Sequence, residues 1–321
     1  MSSDDPRTVA ALWQRAVTAG RTVPAYLVDG RDSWREVSWA EAGSRVDELA
    51  HGLLDLGITR GDRVAILGST RIEWALLDFA LCSLGAVVVP IYPTSSEKEC
   101  AYILADAEVR AIAVEDDAQR DKIEQLPNLE HVVGFDDLDD LAERGRTHRY
   151  RFPNAVAEAA SLVREDDVLT CIYTSGTTGP PKGCVLTNRN FVAMTDMIGG
   201  VDLMRPGDRV VLFLPLAHGF GRLVHFAAAR TGFTPVPSSA TWVARSSRCG
   251  RTSSLPFRAS TRRFTRPCAR SWRRRRESSG ASCSGRSPSG HARAGFGRSS
   301  EACRRCSRCR NGLRTGSSSR R

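Results

Sequence analysis

The sequence predicts an α/β fold, with parallel-sheet, doubly wound layers over residues 1–235 and a disordered tail after them. Three observations predict it. The strand-like runs are continuously apolar, as strands buried on both faces must be. Amphipathic helical stretches of about a dozen residues alternate with those runs, which gives βαβ units. Apolar content then collapses, and residues 236–321 hold 20 Ser and 22 Arg but two Leu, two Val and no Ile.

Ser38-Trp39-Ala40-Glu41 reads as a capping box that opens a helix. Its apolar stripe is Ala42, Val46, Leu49 and Leu53, and Gly57 stops it. A short strand follows over 62–67. The spacing then predicts a helix over 71–84 with Trp74, Leu77 and Leu81 on one face and Gly85 beyond its end. Residues 86–89 read as a strand, Ser96 and Glu99 cap a helix running to Leu104, and 111–114 is the next strand. The stretch 116–166 is polar and weakly periodic and reads as a connecting or lid-side segment. After it come a strand over 168–173, a helix over 188–200, a strand over 208–214 and a helix over 220–231.

Between the strand at 168–173 and the helix at 188–200 lies YTSGTTGPPKG, residues 173–183. Such a loop suits an anionic phosphate. Glycines let the backbone approach closely, exposed N–H groups form an anion-binding nest, and Lys182 adds positive charge. It is not a Walker A loop, because Gly183 rather than Ser or Thr follows the lysine. In open parallel sheets ligands sit outside the carboxyl ends of the strands, where this loop falls.

Charge divides the chain. Residues 236–321 carry 22 Arg, no Lys and only Glu277 and Glu301, about +20, against about −10 for residues 1–235, although the whole chain is +10. Low apolar content with high charge predicts disorder for the tail. The head has four scattered cysteines, Cys82, Cys100, Cys171 and Cys184, in apolar surroundings, which suits unpaired thiols in a reducing cytoplasm. The amino terminus has no signal-peptide pattern, and no apolar stretch is long enough to span a bilayer.

YTSGTTGPPKG resembles the AMP-binding signature of the adenylate-forming enzymes, which include acyl-CoA synthetases, luciferases and peptide-synthetase adenylation domains. GAVVVPIYPTSS and VVLFLPLAHGFGR resemble further motifs of the family in order, and the YPTSS ending is most like the bacterial long-chain fatty acyl-CoA synthetases. The resemblance covers about residues 7–235. It implies ATP-dependent adenylation of a carboxylate followed by transfer to coenzyme A, with ATP, Mg²⁺ and coenzyme A taking part and a fatty acid as substrate. It implies that Thr174, Ser175, Gly176, Thr177, Thr178 and Gly179 cradle the phosphates, and that Lys182 contacts their oxygens as the catalytic residue. His218 would stand at the acyl or adenylate pocket, or else cap its helix. Phe220 is expected to pack in the core or, with Gly221, to line an acyl tunnel. Metal ligands and oligomeric state are not specified. The family leaves room for peripheral membrane contact.

The resemblance ends just after Gly232. No Tyr-Gly-x-Thr-Glu adenine motif follows, and no later catalytic lysine domain. An Arg/Ser/Cys-rich continuation is what a GC-rich gene yields out of frame. Residues 259–265 admit codons that regroup as Val-Tyr-Glu-Lys-Val-Tyr, a family-like stretch. The chain thus reads as a truncated, frameshifted member without ligase turnover. Two alternatives stand beside it: an adenylating enzyme for an aryl or amino acid carboxylate, and a non-enzymatic nucleic-acid binder using the arginine-rich tail. No specific nucleic acid is expected, since no aromatic platform accompanies the arginine run at 273–276. Cys303, Cys306 and Cys309 have ligand-like spacing but no second half-site.

Overall fold

The computed structural model describes residues 7–29, 34–123, 129–174, 180–201 and 204–237. The expectations for the tail from residue 238 onward, including its disorder, the arginine run and the three spaced cysteines, lie outside these residues.

The chain opens with α1 (Val9–Thr18) and the antiparallel pair β1 (Tyr26–Asp29) and β2 (Trp34–Val37), followed by α2 (Trp39–Asp55). Next come β3 (Arg63–Leu67), α3 (Ile72–Leu84), β4 (Val87–Ile91), α4 (Glu97–Asp106), β5 (Ala111–Val114), α5 (Asp117–Arg120) and β6 (His131–Gly134). The helices α6 (Leu138–Arg151) and α7 (Ala155–Leu162) lead to β7 (Val168–Thr174) and β8 (Lys182–Thr187). The described chain ends with α8 (Asn188–Gly200), β9 (Arg209–Leu212), α9 (Gly219–Thr231) and β10 (Thr234–Pro237).

Six strands form the main sheet in the order β6-β5-β3-β4-β7-β8. All neighbours are parallel except β7 and β8, so the expected parallel sheet carries an antiparallel edge. The apolar runs feed two cores through strand alternation. Val64, Ile66, Val88, Ala111 and Ala113 enter the larger core with α2, α3 and α9. Ala65, Leu67, Val89, Ile91, Ile112 and Val114 enter the other, beneath α4. A separate parallel pair, β9 and β10, runs alongside α9.

Three expectations need correction. Helix α3 is buried from Trp74 through Leu84 rather than on one face, because it lies inside the larger core; Gly85 ends it with φ 69°, as expected of a left-handed cap. The capping box at Ser38 is half formed. Ser38 Oγ accepts from Glu41 N–H at 3.1 Å, but the Glu41 carboxylate takes Arg35 at 2.6 Å instead of reaching back. The box at Ser96 and Glu99 is complete.

The third correction is the polar stretch 116–166, which is not a connecting segment. It holds the edge strand β6, the short helix α5 and the helices α6 and α7. Helix α6 buries Leu138, Leu141, Ala142 and Gly145, spaced as one short helical face, and charge pairs with α2 flank that face. Arg45–Asp139, Arg144–Asp55, Arg146–Glu48 and Arg149–Asp47 bridge the two helices at 2.5, 2.8, 3.0 and 3.1 Å. A Cβ on Gly145 would stand 1.8 Å from the Glu48 carbonyl oxygen, so only glycine allows this contact.

Candidate phosphate-binding site

The signature motif closes a hairpin. Strand β7 ends at Thr174, β8 begins at Lys182, and these two residues are register partners, both exposed. The loop expected over 173–183 is shorter than that: Tyr173 and Thr174 belong to β7, and Lys182 and Gly183 open β8, which runs to Thr187. Ser175, Gly176, Thr177, Thr178 and Gly179 lie outside the described residues. The structure brings together the two ends of the proposed cradle, Thr174 and Lys182.

Gly183 has a steric cause. A Cβ there would meet Cys171 Sγ at 2.6 Å and Tyr173 Cζ at 3.2 Å, because the Tyr173 ring lies across β8 at its register partner. The Tyr173 hydroxyl donates to Asp106 at 2.5 Å. Burial, and then the Asp106 carboxylate, push its pKa above the usual phenol value. Val88↔Thr170 is the register pair that joins β7 to β4, reinforced by the Thr170 hydroxyl donating to the Val88 carbonyl at 2.6 Å. Near the carboxyl ends of these two strands lies a cavity of about 400 Å³. Tyr92, Thr94, Ser95 and Glu99 line it from the β4 side, and Thr174 and Pro181 from the hairpin.

His218 caps α9. Its Nδ1 accepts from Phe220 N–H at 3.1 Å, so the neutral ring carries its proton on Nε2 and presents a donor. The loop before it is tied to the end of β3: Thr70 Oγ1 donates to the Leu214 carbonyl at 3.3 Å and accepts from Leu216 N–H at 3.2 Å. A Cβ on Gly219 would touch Ile172 Cδ1 at 3.4 Å, so the start of α9 stands against β7. Phe220 is 55% exposed, which overturns the core-packing expectation: the first turn of α9 leaves its ring outside. Gly221 is buried, and a Cβ there would meet the Pro215 carbonyl oxygen at 2.3 Å.

Sequence reasoning missed the joint behind the site. Asp78 and Arg222, both fully buried, pair α3 with α9 at 2.5 and 3.0 Å. Arg222 lies within 6 Å of the Trp74, Phe191 and Phe226 ring centres. Burial raises the Asp78 pKa and Arg222 opposes the rise. A lone aspartate within the apolar run of α3 was the available signal, since such a charge demands a partner. Among the four described cysteines, all free, Cys82 and Cys100 are buried but Cys184 is exposed, contrary to the expected apolar setting.

The family model for AMP-binding enzymes matches residues 13–249. The chain belongs to the AMP-binding enzyme family. The long-chain-fatty-acid–CoA ligase FadD15 of Mycobacterium tuberculosis is 39% identical over 222 residues, which is 65% of this chain and 36% of that protein. The ligase ACSBG2 of Xenopus laevis is 29% identical, over 68% of this chain and 32% of its own length. Among solved structures, a Mycobacterium tuberculosis fatty acyl CoA synthetase superposes with TM-score 0.61 at 27% identity, over 73% of this chain and 44% of its own. The inhibitor-bound N-terminal domain of FACL13 from the same organism gives TM-score 0.63 at 28% identity, over 74% and 59%. The chain thus spans about a third of the length of the curated relatives it matches. These curated relatives are all named long-chain-fatty-acid–CoA ligases. Among the described residues no helix is long and apolar enough to cross a membrane.

Proposed function

We propose that this chain carries the phosphate-binding half of a long-chain fatty acid–CoA ligase. The observation that carries this reading is the pairing of exposed Thr174 and Lys182 across the motif hairpin, beside a cavity at the carboxyl ends of β4 and β7. In the reaction a carboxylate oxygen attacks the α-phosphorus of ATP, the α–β phosphoanhydride bond breaks and pyrophosphate leaves. The coenzyme A thiolate then attacks the acyl carbon, and AMP departs with the bonding electron pair. Lys182 stabilises the charge that gathers on the departing phosphates, and Thr174 with Ser175, Gly176, Thr177, Thr178 and Gly179 supplies hydrogen bonds to them. His218, with a donor at Nε2, serves the adenylate side of the acyl pocket.

Mg²⁺, which the family resemblance implies, would bridge the phosphates and neutralise part of their charge. Among the described residues no group of three or more metal-ligating side chains is gathered. The setting proposed is cytoplasmic, with a fatty acid as the carboxylate. The division near residue 236, with an out-of-frame tail after it, belongs to the same proposal. Resequencing the gene around codons 231–237 tests it. With no Tyr-Gly-x-Thr-Glu motif within residues 1–321, the expectation is that these residues alone give no turnover. ATP–pyrophosphate exchange with palmitate decides this: no exchange is expected, and exchange abolished by Lys182→Ala would overturn the inactivity.

A further inference from the structure

We propose that Asp106 is a positioning residue for the phosphate hairpin, acting through Tyr173. This rests on the phosphate reading of Lys182 given above. Strand β7 is held along β4 upstream, where Val88 pairs with Thr170, and the pair that carries the proposed phosphate contacts lies further along, at Thr174 and Lys182. Thr174 and Pro181 line the cavity near the carboxyl ends of β4 and β7, so the position of the hairpin's end sets what faces it.

The Tyr173 phenol spans back from this hairpin to Asp106, the last residue of α4, at 2.5 Å. Tyr102, one turn earlier on α4, packs edge-on against the Tyr173 ring, with centroids 6.4 Å apart, and its own hydroxyl approaches the second Asp106 oxygen at 3.5 Å. Gly183 completes the clamp, since the ring crosses β8 where any side chain would collide. An aspartate at the carboxyl end of a helix opposes the helix dipole. Its placement there has a cause in the phenol it receives. The bond ties register to chemistry: Tyr173 pairs with Gly183, so holding Tyr173 fixes where the next pair, Thr174 and Lys182, stands.

The test uses the full chain and three variants, Tyr173→Phe, Asp106→Ala and Asp106→Asn. Amide hydrogen exchange is followed at residues 171–174 and 182–186, with 63–67 and 111–114 as internal reference. Removing a hydrogen bond to a charged group should speed exchange about ten- to a hundredfold in the hairpin and leave the reference strands unchanged. Asp106→Asn, which keeps an acceptor oxygen, should recover part of the protection. Affinity for magnesium tripolyphosphate, measured by calorimetry, should fall about tenfold in Tyr173→Phe and Asp106→Ala and recover in part in Asp106→Asn. Hairpin exchange equal to wild type in Tyr173→Phe would overturn the proposal, as would equal acceleration in hairpin and reference strands, which marks a general structural role. Should the wild-type chain not bind tripolyphosphate, the phosphate reading of the hairpin falls, while the exchange comparison still decides the tether.

Discussion

At the joint between α3 and α9 a fully buried ion pair sits among aromatic rings, and the glycine, loop and helix contacts around it leave few alternatives. At the β7–β8 hairpin Thr174 and Lys182 pair at the end of an edge strand, and both are exposed. The first region is costly to disturb. The second presents the residues proposed to meet phosphate, Thr174 and Lys182. Functional segments are commonly drawn from the less stable parts of a scaffold, while the invariant geometry behind them comes from the core. Here the joint fixes α9, and with it the cap at His218, whereas the hairpin is positioned by side chains.

The largest expected effect breaks the joint. Arg222→Met leaves the Asp78 carboxylate buried without its partner and should cost about 3–5 kcal/mol in urea unfolding. Adding Asp78→Leu should recover most of that loss, because a desolvated pair contributes little net stability over apolar residues of similar size. A single variant within 1 kcal/mol of wild type would show that the pair does not hold the joint.

Acid should act on the same region next. His225 is buried against Phe79 and Phe226, and burial followed by the Arg222 charge lowers its pKa from 6.5 to about 3. His51, buried between α2 and α6 with its Nδ1 2.9 Å from that of His148, is shifted down as well, chiefly by burial. Above pH 6.5 neither the folded nor the unfolded chain protonates these rings, and their full contribution is present. Below it the unfolded chain takes up protons that the folded chain excludes. Stability should therefore fall by up to about 1.4 kcal/mol per pH unit for each such group. Urea melts from pH 7 to pH 5 should show this slope, and His225→Phe should flatten it.

These two regions also mark how far the sequence could be read. Strands β3 and β5 and the caps at Ser96 and Gly85 were visible because local chemistry alone dictates them: an apolar run, a hydroxyl with a glutamate three residues on, a glycine after a helix. Helix α6 was missed although Leu138, Leu141, Ala142 and Gly145 form a short stripe, because the charged residues that pair with α2 dominate the segment's composition. Strand β8 was hidden as an exposed edge strand behind two prolines. At the site, Lys182 and Thr174 could be picked from the motif, but their pairing needed the hairpin. Asp106 and Arg222 were out of reach, since each acts through a residue far away in sequence.

A smaller effect sharpens the hairpin side. Gly183→Ala sets a methyl against Cys171 Sγ and the Tyr173 ring and should cost about 1 kcal/mol, at the low end for overpacking because the thiol can rotate aside. The double variant with Cys171→Ala should recover part of this in thermal melts. A loss of several kcal/mol would mean that the hairpin is as tightly packed as the joint.

The smallest expected change in stability belongs to the residue with the largest proposed role. Lys182 is exposed at the start of an edge strand, so Lys182→Ala should alter unfolding free energy by no more than about 0.5 kcal/mol. Magnesium tripolyphosphate binding, by contrast, should fall below detection, because one fixed positive charge beside exposed N–H groups is what such a loop offers a polyanion. A lysine that carried the hairpin structurally would show the reverse, a clear loss of stability with binding altered only in proportion to it. The two measurements on one variant thus separate a charge placed for a ligand from a charge placed for the fold.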